Sequence, residues 1–439
     1  MIRKKRVVVV LIAIGLFGCS NQWLDDYRLD PNRPSEVSMQ VLLPAIQVNY
    51  AMVQGDVLAR ASAEWMQHMT SQIRTAYEYS YDRTWNNAYA GGLYDLKLLR
   101  EQAIALDAPA YAGIADIMTA LYMGLLVDHF GDVPFTEALS GSQNLKPRYD
   151  SGAVVYDSIF SLLSRGKEQL LRSSAMVPGG DDLMLQGDLG AWAAAADGLV
   201  ARNLNHLSEL PAYNADAVIE ACDSALGVGV DFQIGFEEGI NQNPWYQFTV
   251  IDRVGYFTQE GFLHSRMDST ADPRVAFYRS SDLWSIPSLG AATADLPVLT
   301  AFELQFIKAE AQFRSGDLAG ARGSMELGIA ANMSYLGVAS DSAQLYIDSL
   351  PGATTLELIM EEKYISMFTQ GESWTDWRRT GYPTLSAGPL LFFNDIPRRL
   401  PYPESEYLYN EQNVPIEQNA TQSVRYGISA GHRIFWDPS

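Results

Sequence analysis

The stretch EEKYISMFTQGESWTDWRRTGYP, residues 361–383, concentrates large and charged side chains. Trp374 and Trp377 are three residues apart, a spacing that places them on one face of a helix. Arg378 and Arg379 follow directly. We interpret the stretch as a structural clamp of packed indoles and ion pairs, and an exposed surface for a sugar is the alternative. The acids available to pair with the two arginines are Glu361, Glu362, Glu372 and Asp376.

A second arginine pair lies further along, in IPRRLPYP at residues 396–403. The segment from 384 to 439 is rich in proline and has few periodic apolar residues. We therefore predict that Arg398 and Arg399 attach this C-terminal tail to the clamp.

The composition limits the classes of partner. The chain has 439 residues, of which 47% are hydrophobic and 19% charged, as in an ordinary globular protein. Its formal net charge is -21. A charge this negative argues against binding to nucleic acid, and against docking on an anionic membrane through a basic patch.

The N-terminus has the pattern of an export signal. MIRKKR at residues 1–6 is basic, and Val7–Phe17 is an apolar run too short to span a bilayer. Gly18 then precedes Cys19, an arrangement that resembles the lipobox of bacterial lipoproteins. We predict a signal peptide at 1–18, acylation of Cys19 and a tether at 19–35. The alternative is a plain secretory signal that happens to contain a cysteine.

Helical patterns dominate the body of the chain. Ala110–His129 reads as one long helix with a continuous apolar stripe. Thr300–Glu303 and Thr354–Glu357 have the capping-box pattern of helix starts. The Gly-Asp turns in 129–139 and 315–325 are each placed between two helical patterns, as in helix pairs of the tetratricopeptide type.

Two long segments depart from this pattern, and they are 227–299 and 384–439, with many Gly, Pro, Asn and Ser residues. We predict ordered loops with a few short strands over a helical scaffold. The sequence patterns thus predict a mostly α fold with some antiparallel helix pairs and long irregular loops.

Motifs for catalysis or metal binding are missing from the sequence. The five histidines are scattered without metal-ligand spacing, and there is no nucleophile elbow or phosphate-binding loop. Cys222 sits in an apolar helical pattern and is predicted to be a buried, inert thiol. We therefore predict no catalytic residues, no metal and no cofactor.

Two aromatic segments are candidates for ligand binding, namely 74–92 and 240–248. Sugar rings stack on flat side chains, while Asn, Asp, Gln and Arg bind the hydroxyls. Tyr77, Tyr79 and Tyr81 alternate with polar residues, which would place them on one side of an extended segment. The alternative is that these rings pack in the core. The candidate ligand-binding residues are Arg74, Tyr77, Tyr79, Tyr81, Trp85, Asn86, Trp245 and Tyr246.

Several motifs occur in an order that resembles the SusD/RagB family of outer-membrane nutrient-binding lipoproteins, especially its SusD-like branch. Beside Cys19 and the stretch at 361–383, they are DPNRP (30–34), YAGGLYDLKLL (89–99), LVDHFGDVPFTEAL (126–139), GDLGAWAAAADGLVARN (187–203), FIKAEAQFRSGDLAGA (306–321) and IPRRLPYPESEYLYN (396–410).

The resemblance implies a mostly α, tetratricopeptide-like scaffold of helix pairs with long irregular loops and a few short strands. It implies a single domain at 36–439, in which the loops carry the ligand site. It implies a lipid-anchored protein of the outer membrane, facing the cell exterior. Such a protein captures an oligosaccharide and delivers it to a SusC-like TonB-dependent barrel transporter, without catalysis. It also implies a glycan site near Trp85, Asn86 and the neighbouring tyrosines.

Three other functions remain open at this point. The chain could be an α/α glycoside hydrolase, because its 52 acidic residues could place two carboxylates across a cleft. It could bind peptides or another non-sugar nutrient. It could also act only as a lid on its transporter, with no ligand site of its own.

Overall fold

A computed structural model describes residues 37–73, 76, 79–229, 231–280, 286–386 and 395–437. The predicted signal peptide, Cys19 and the tether lie outside these residues. So do two of the candidate ligand residues, Arg74 and Tyr77.

The described chain is mostly helical. The α-helices, in chain order, are α1 (Met39–Val53), α2 (Ala59–Trp65), α3 (Asp82–Asn86), α4 (Tyr94–Ala105), α5 (Pro109–Phe130), α6 (Gly152–Leu170), α7 (Leu189–His206), α8 (Ala215–Leu226), α9 (Pro244–Tyr246), α10 (Phe262–Ser269), α11 (Val275–Tyr278), α12 (Ala301–Ser315), α13 (Leu318–Leu336), α14 (Ser340–Ser349), α15 (Leu356–Ser366), α16 (Glu372–Thr380), α17 (Glu404–Tyr409) and α18 (Gln422–Arg425). The strands are β1 (Thr70–Ser71), β2 (Phe232–Ile234), β3 (Phe257–Thr258) and β4 (Leu296–Leu299).

The central helix is α5, which confirms the long helix predicted at 110–129. Pro109 lies in its first turn, where the missing N–H costs nothing, and Gly131 ends it with a φ of 87°. The helix is apolar and long enough to cross a membrane, but 89% of its most apolar 18-residue stretch is buried inside the protein. It packs between α4 and α6 and forms the middle of the hydrophobic core.

The pair α12–α13 shows how the scaffold is built. Thr300 caps α12 by accepting a hydrogen bond from the Glu303 amide, as the capping-box pattern predicted. Gly316 then adopts the left-handed conformation, and Asp317 caps α13. Gly328 of α13 leaves room for the ring of Phe306 on α12, so the two helices pack closely. The predicted helix pair at this Gly-Asp turn is confirmed.

Two details of the predicted helix starts are wrong. The cap of α15 is Thr355 instead of Thr354, because Thr355 accepts from the Leu358 amide. No helix follows the other Gly-Asp turn directly. Asp132 accepts a hydrogen bond from the Gly152 amide instead, so this turn ties the chain to the start of α6.

The strands form two small antiparallel sheets, in which β1 pairs with β3 and β2 with β4. Strands β2, β3 and β4 lie in segment 227–299, where helical periodicity fades, whereas β1 lies outside that segment, a few residues after α2. The prediction of ordered loops with short strands over a helical scaffold is confirmed. Cys222 on α8 is buried and free, as predicted.

The stretch at 361–383 forms the end of α15 and all of α16. Trp374 is completely buried, and its ring centroid lies 4.6 Å from that of Trp65. Its Nε1 donates to the carbonyl of Pro397 at 2.8 Å. Trp377 is only half-buried, with the Arg398 guanidinium 5.2 Å from its ring centre. The predicted clamp exists, and Trp374 is its buried centre.

The partners of the clamp arginines differ in part from the prediction. Arg379 pairs with Asp376, as predicted, but its other carboxylate partner is Glu310 of α12. Arg378 stacks on Trp374 and donates to backbone carbonyls. The other predicted partners point elsewhere, because the helical period turns them toward other elements: Glu361 pairs with Arg266, Glu362 with Arg274 and Glu372 with His206.

The predicted attachment of the C-terminal tail to the clamp is confirmed for Arg398 but not for Arg399. Arg398 pairs with Asp437 at 2.6 Å and donates to the carbonyl of Arg378 on α16. Arg399 instead donates to the carbonyl of Arg425 and stacks on Tyr402, so it links two parts of the tail to each other. The clamp therefore holds the tail segment 395–437 against the helices.

Candidate functional site

The candidate site starts from the segment that contains α3 and α4. A wide π-helical turn, Asn87–Leu93, joins the two helices. A Cβ atom on Gly92 would lie 2.5 Å from the ring of Tyr122 on α5, so only glycine fits there. This close approach fixes the segment against the core and leaves its other side for the C-terminal tail.

Between this segment and the tail lies a cavity of about 350 Å³, which we call the Trp85 cavity. Its wall is largely aromatic and aliphatic, with one amide and one carboxylate. The lining residues are Trp85, Asn86, Tyr89, Ala90, Tyr94, Pro134, Ala138, Leu139, Gly141, Pro147 and Glu406.

Glu406 is the polar centre of this wall. One of its oxygens accepts from Trp85 Nε1 at 3.2 Å, and the other accepts from the Tyr149 hydroxyl at 2.7 Å. Burial, together with the neighbouring Glu406 carboxylate, raises the pKa of Tyr149, so its hydroxyl stays protonated and donates. The carboxylate is thereby held in one orientation.

The side chains that line the Trp85 cavity differ in solvent exposure. Trp85 is 3% exposed and packs against Tyr89 and Phe130, with centroid distances of 4.9 and 5.0 Å. Tyr94, in contrast, is 41% exposed, and Asn86 is exposed as well. A ligand would therefore meet a buried aromatic floor and an exposed rim.

A second cavity, of about 270 Å³, lies next to the first, and we call it the Arg425 cavity. It is more polar, and the tail supplies most of its wall. The lining residues are Tyr79, Ser80, Tyr81, Asp82, Pro401, Tyr402, Pro403, Glu404, Gln422, Arg425 and Tyr426.

Asp82 is fixed in this second wall by two hydrogen bonds. It accepts from the Ser405 amide and from the Ser80 hydroxyl, both at 2.8 Å. Partial burial acts to raise the pKa of Asp82, but these bonds outweigh it and hold the pKa below its usual value. The carboxylate is thus suited to accept hydrogen bonds and poorly suited to act as a general acid.

A family model for SusD-like proteins, described as "starch-binding associating with outer membrane", matches residues 31–285 and 280–403. The chain belongs to the SusD-like family. No curated protein sequence matches the chain.

Solved SusD-like structures share this fold. A chitin-binding protein aligns over 92% of this chain and all of its own length, with 22% identity and a TM-score of 0.74. A SusD/RagB family protein from Bacteroides thetaiotaomicron aligns over 92% and 100%, with 18% identity and a TM-score of 0.73. A chitin-binding SusD homolog from Flavobacterium johnsoniae covers 91% and 97%, with 20% identity and a TM-score of 0.71.

The described candidate residues of this SusD-like chain occupy three places. Trp85 and Asn86 line the Trp85 cavity, and Tyr79 and Tyr81 line the Arg425 cavity. Tyr81 is 2% exposed, and its hydroxyl donates to the carbonyl of Ala76, so most of its ring serves the core.

Trp245 and Tyr246 form the third place, in the short helix α9. Trp245 is 2% exposed and packs near Phe257 of β3. Tyr246 is half-buried. Neither residue lines the Trp85 or the Arg425 cavity.

A buried cluster elsewhere has the composition of a metal site. Ligand atoms of Asp128, His206 and Glu372 lie within 4.8 Å of one another. Burial alone would lower the pKa of His206, but the two carboxylates outweigh it and raise the pKa to about 9. Nε2 of the imidazole faces Glu372 at 3.0 Å, and Nδ1 faces Tyr156 and Asp128. When protonated, the ring donates a hydrogen from each nitrogen, and its positive charge is balanced by the two carboxylates.

Sequence reasoning did not identify Tyr94, Glu406 or Arg425 as site residues. Tyr94 sits in a helical pattern, where an aromatic side chain is normally part of the core. Glu406 and Arg425 lie more than three hundred residues from Trp85 in the chain. The motif at 396–410 was the available signal, but a single sequence does not say against which segment it packs.

Proposed function

We propose that this protein binds a neutral glycan in the Trp85 cavity. The observation that carries the proposal is the combination of an aromatic and aliphatic wall with Asn86 and a fixed Glu406 carboxylate. Apolar faces of a sugar ring pack on such a wall, and its hydroxyls donate to a carboxylate. The family description and the chitin-binding neighbours support a glycan as the ligand.

We further propose that the protein is anchored through Cys19 to the outer membrane, facing the cell exterior, and delivers its ligand to a SusC-like TonB-dependent transporter. The family description supports the membrane association. Replacing Cys19 with Ala should move the protein from the membrane fraction to the soluble fraction. Co-purification of a barrel transporter with the tagged wild-type protein tests the partnership.

Binding is tested by calorimetry on the mature protein, with malto-oligosaccharides and chito-oligosaccharides as probes. Asn86→Ala and Tyr94→Ala each remove a contact on the exposed rim and should weaken binding about tenfold. Tyr246→Ala is the matched control, because Tyr246 lines neither cavity, and it should leave the affinity unchanged. Wild-type affinity in the Asn86 and Tyr94 variants would contradict the proposed site.

The same samples separate binding from hydrolysis. A glycosidase with two catalytic carboxyls needs an acid with a raised pKa, and Asp82 of the neighbouring Arg425 cavity does not supply it, because its pKa is lowered. We expect no new reducing ends after prolonged incubation with either probe. Their appearance, and their loss in Glu406→Gln, would favour the hydrolase.

A further inference from the structure

The Trp85 cavity and the Arg425 cavity share a single partition. Asp82 and Trp85 are three residues apart on α3, a spacing at which Cβ atoms lie roughly 5–6 Å apart. Asp82 lines one cavity and Trp85 the other. On α17 the same division occurs, since Glu404 lines the Arg425 cavity and Glu406 the Trp85 cavity.

Two hydrogen bonds hold the partition together. The Ser405 amide donates to Asp82 at 2.8 Å, and Trp85 Nε1 donates to Glu406 at 3.2 Å. Helices α3 and α17 therefore form a thin wall between the two cavities, which we call the α3–α17 rib. A ligand that occupies both cavities only has to cross this rib.

The polar groups of the Arg425 cavity complement those of a sugar. Asp82 and Glu404 accept hydrogen bonds, while Gln422 and Arg425 donate them. Nε of Arg425 is buried, and among the described residues it has no hydrogen-bond partner. Two carboxylates against one guanidinium favour a neutral unit over a uronate or a sulfated sugar.

We propose that the Arg425 cavity is a second sugar subsite, and that the ligand is an extended neutral oligosaccharide lying across the α3–α17 rib. This inference rests on the proposed function, because the Trp85 cavity holds the first unit. It predicts that affinity rises with chain length once the glycan is long enough to cross the rib.

The test compares a trisaccharide and a hexasaccharide of whichever probe series binds. Wild-type protein should bind the hexasaccharide at least about tenfold more tightly. Gln422→Ala and Glu404→Gln change exposed side chains of the Arg425 cavity, and they should reduce this ratio to near one. Arg425→Gln provides a third variant, with its melting temperature measured to confirm folding.

Gln344→Ala is the matched control, since Gln344 is exposed on α14 and lines neither cavity. It should leave the ratio unchanged. A ratio that stays at the wild-type value in the Arg425-cavity variants overturns the second subsite, as does an equal loss for both chain lengths. Either result would leave the proposed glycan site in the Trp85 cavity unaffected. Failure of wild-type protein to bind any probe would instead contradict the proposed function itself.

Discussion

Trp374 and Trp377 show how two identical residues in one short helix acquire different roles. Trp374 is fully buried against Trp65, with the Arg378 guanidinium 3.8 Å from its ring centre. Trp377 is half-buried and lies at the edge of the tail. The spacing predicts a shared face, but the depth of each ring depends on what covers the helix.

We predict that Trp374→Ala lowers the free energy of unfolding by about 3–5 kcal/mol, because it leaves a large cavity in the core. It also leaves the Pro397 carbonyl without its indole donor. Trp377→Ala should cost clearly less. Urea denaturation followed by circular dichroism measures both. Equal losses for the two variants would show that burial does not distinguish them.

The partners of Arg379 mark the limit of prediction at this scale. Asp376 is three residues away on the same helix, so its pairing follows from helix geometry alone. Glu310 belongs to α12, and its approach depends on how α12 packs against α16. The local ion pair was therefore predictable from one sequence, and the distant one was not.

At the scale of elements, helix caps offer a matched comparison. Asn214 is exposed, and its side chain accepts from the amides of Asp216 and Ala217 at the start of α8. Ser38 is also exposed, at the start of α1, but its side chain makes no capping bond. The two residues differ mainly in that bond.

Asn214→Ala should therefore lower the free energy of unfolding by about 1 kcal/mol, and Ser38→Ala by much less. Thermal unfolding of both variants beside the wild type measures the difference. If the Ser38 variant lost as much stability as the Asn214 variant, the loss would not come from the capping hydrogen bond.

Element prediction succeeded where local chemistry decides. Thr300, Gly316 and Asp317 give α12 and α13 their ends, and each acts within a few residues of its own position. The same Gly-Asp pair after α5 precedes no helix, because Asp132 binds the start of α6 instead. The residues of the candidate site follow the same rule. Trp85 was predicted from the sequence of its own segment, whereas Glu406 became evident only in the structure, where the tail packs against α3.

At the scale of the whole molecule, the buried histidines fall into two kinds, whose pKa values are shifted in opposite directions. Burial lowers the pKa of His68 to about 3, and that of His129 and His264 to about 4. These rings are neutral when folded and bind protons more readily when unfolded, where the pKa is about 6.5. Their contribution to stability is present above about pH 6.5 and is lost as the pH falls toward about 4.

We expect the melting temperature to fall across this acid range. His264→Phe replaces one of the three titrating imidazoles with an apolar ring. Both nitrogens of His264 are buried and lack a hydrogen-bond partner among the described residues. The melting temperature of the variant should fall less steeply with decreasing pH than that of the wild type. An unchanged slope would assign the acid loss to the carboxylates instead.

The pKa of His206 is shifted upward, so its contribution to stability changes with pH in the opposite direction. Its pKa of about 9 lies above the unfolded value, so it stabilises the fold fully below about pH 6.5, and this is lost as the pH rises through about 9. His206→Gln should be less stable than the wild type at acidic to neutral pH, and the gap should narrow in alkali. A melting-temperature series across this range tests it, and a constant gap would contradict the assignment.

The contribution of the tail to both cavities has a consequence for the order of events during biogenesis. Glu406 closes one cavity, and residues from Pro401 to Tyr426 form most of the other. A nascent chain that has already formed its helix pairs still lacks the walls of both cavities that we propose as sugar sites. On the proposed function, glycan binding therefore requires the docked tail, and a chain cut short before Pro401 should form its helix pairs but bind no glycan.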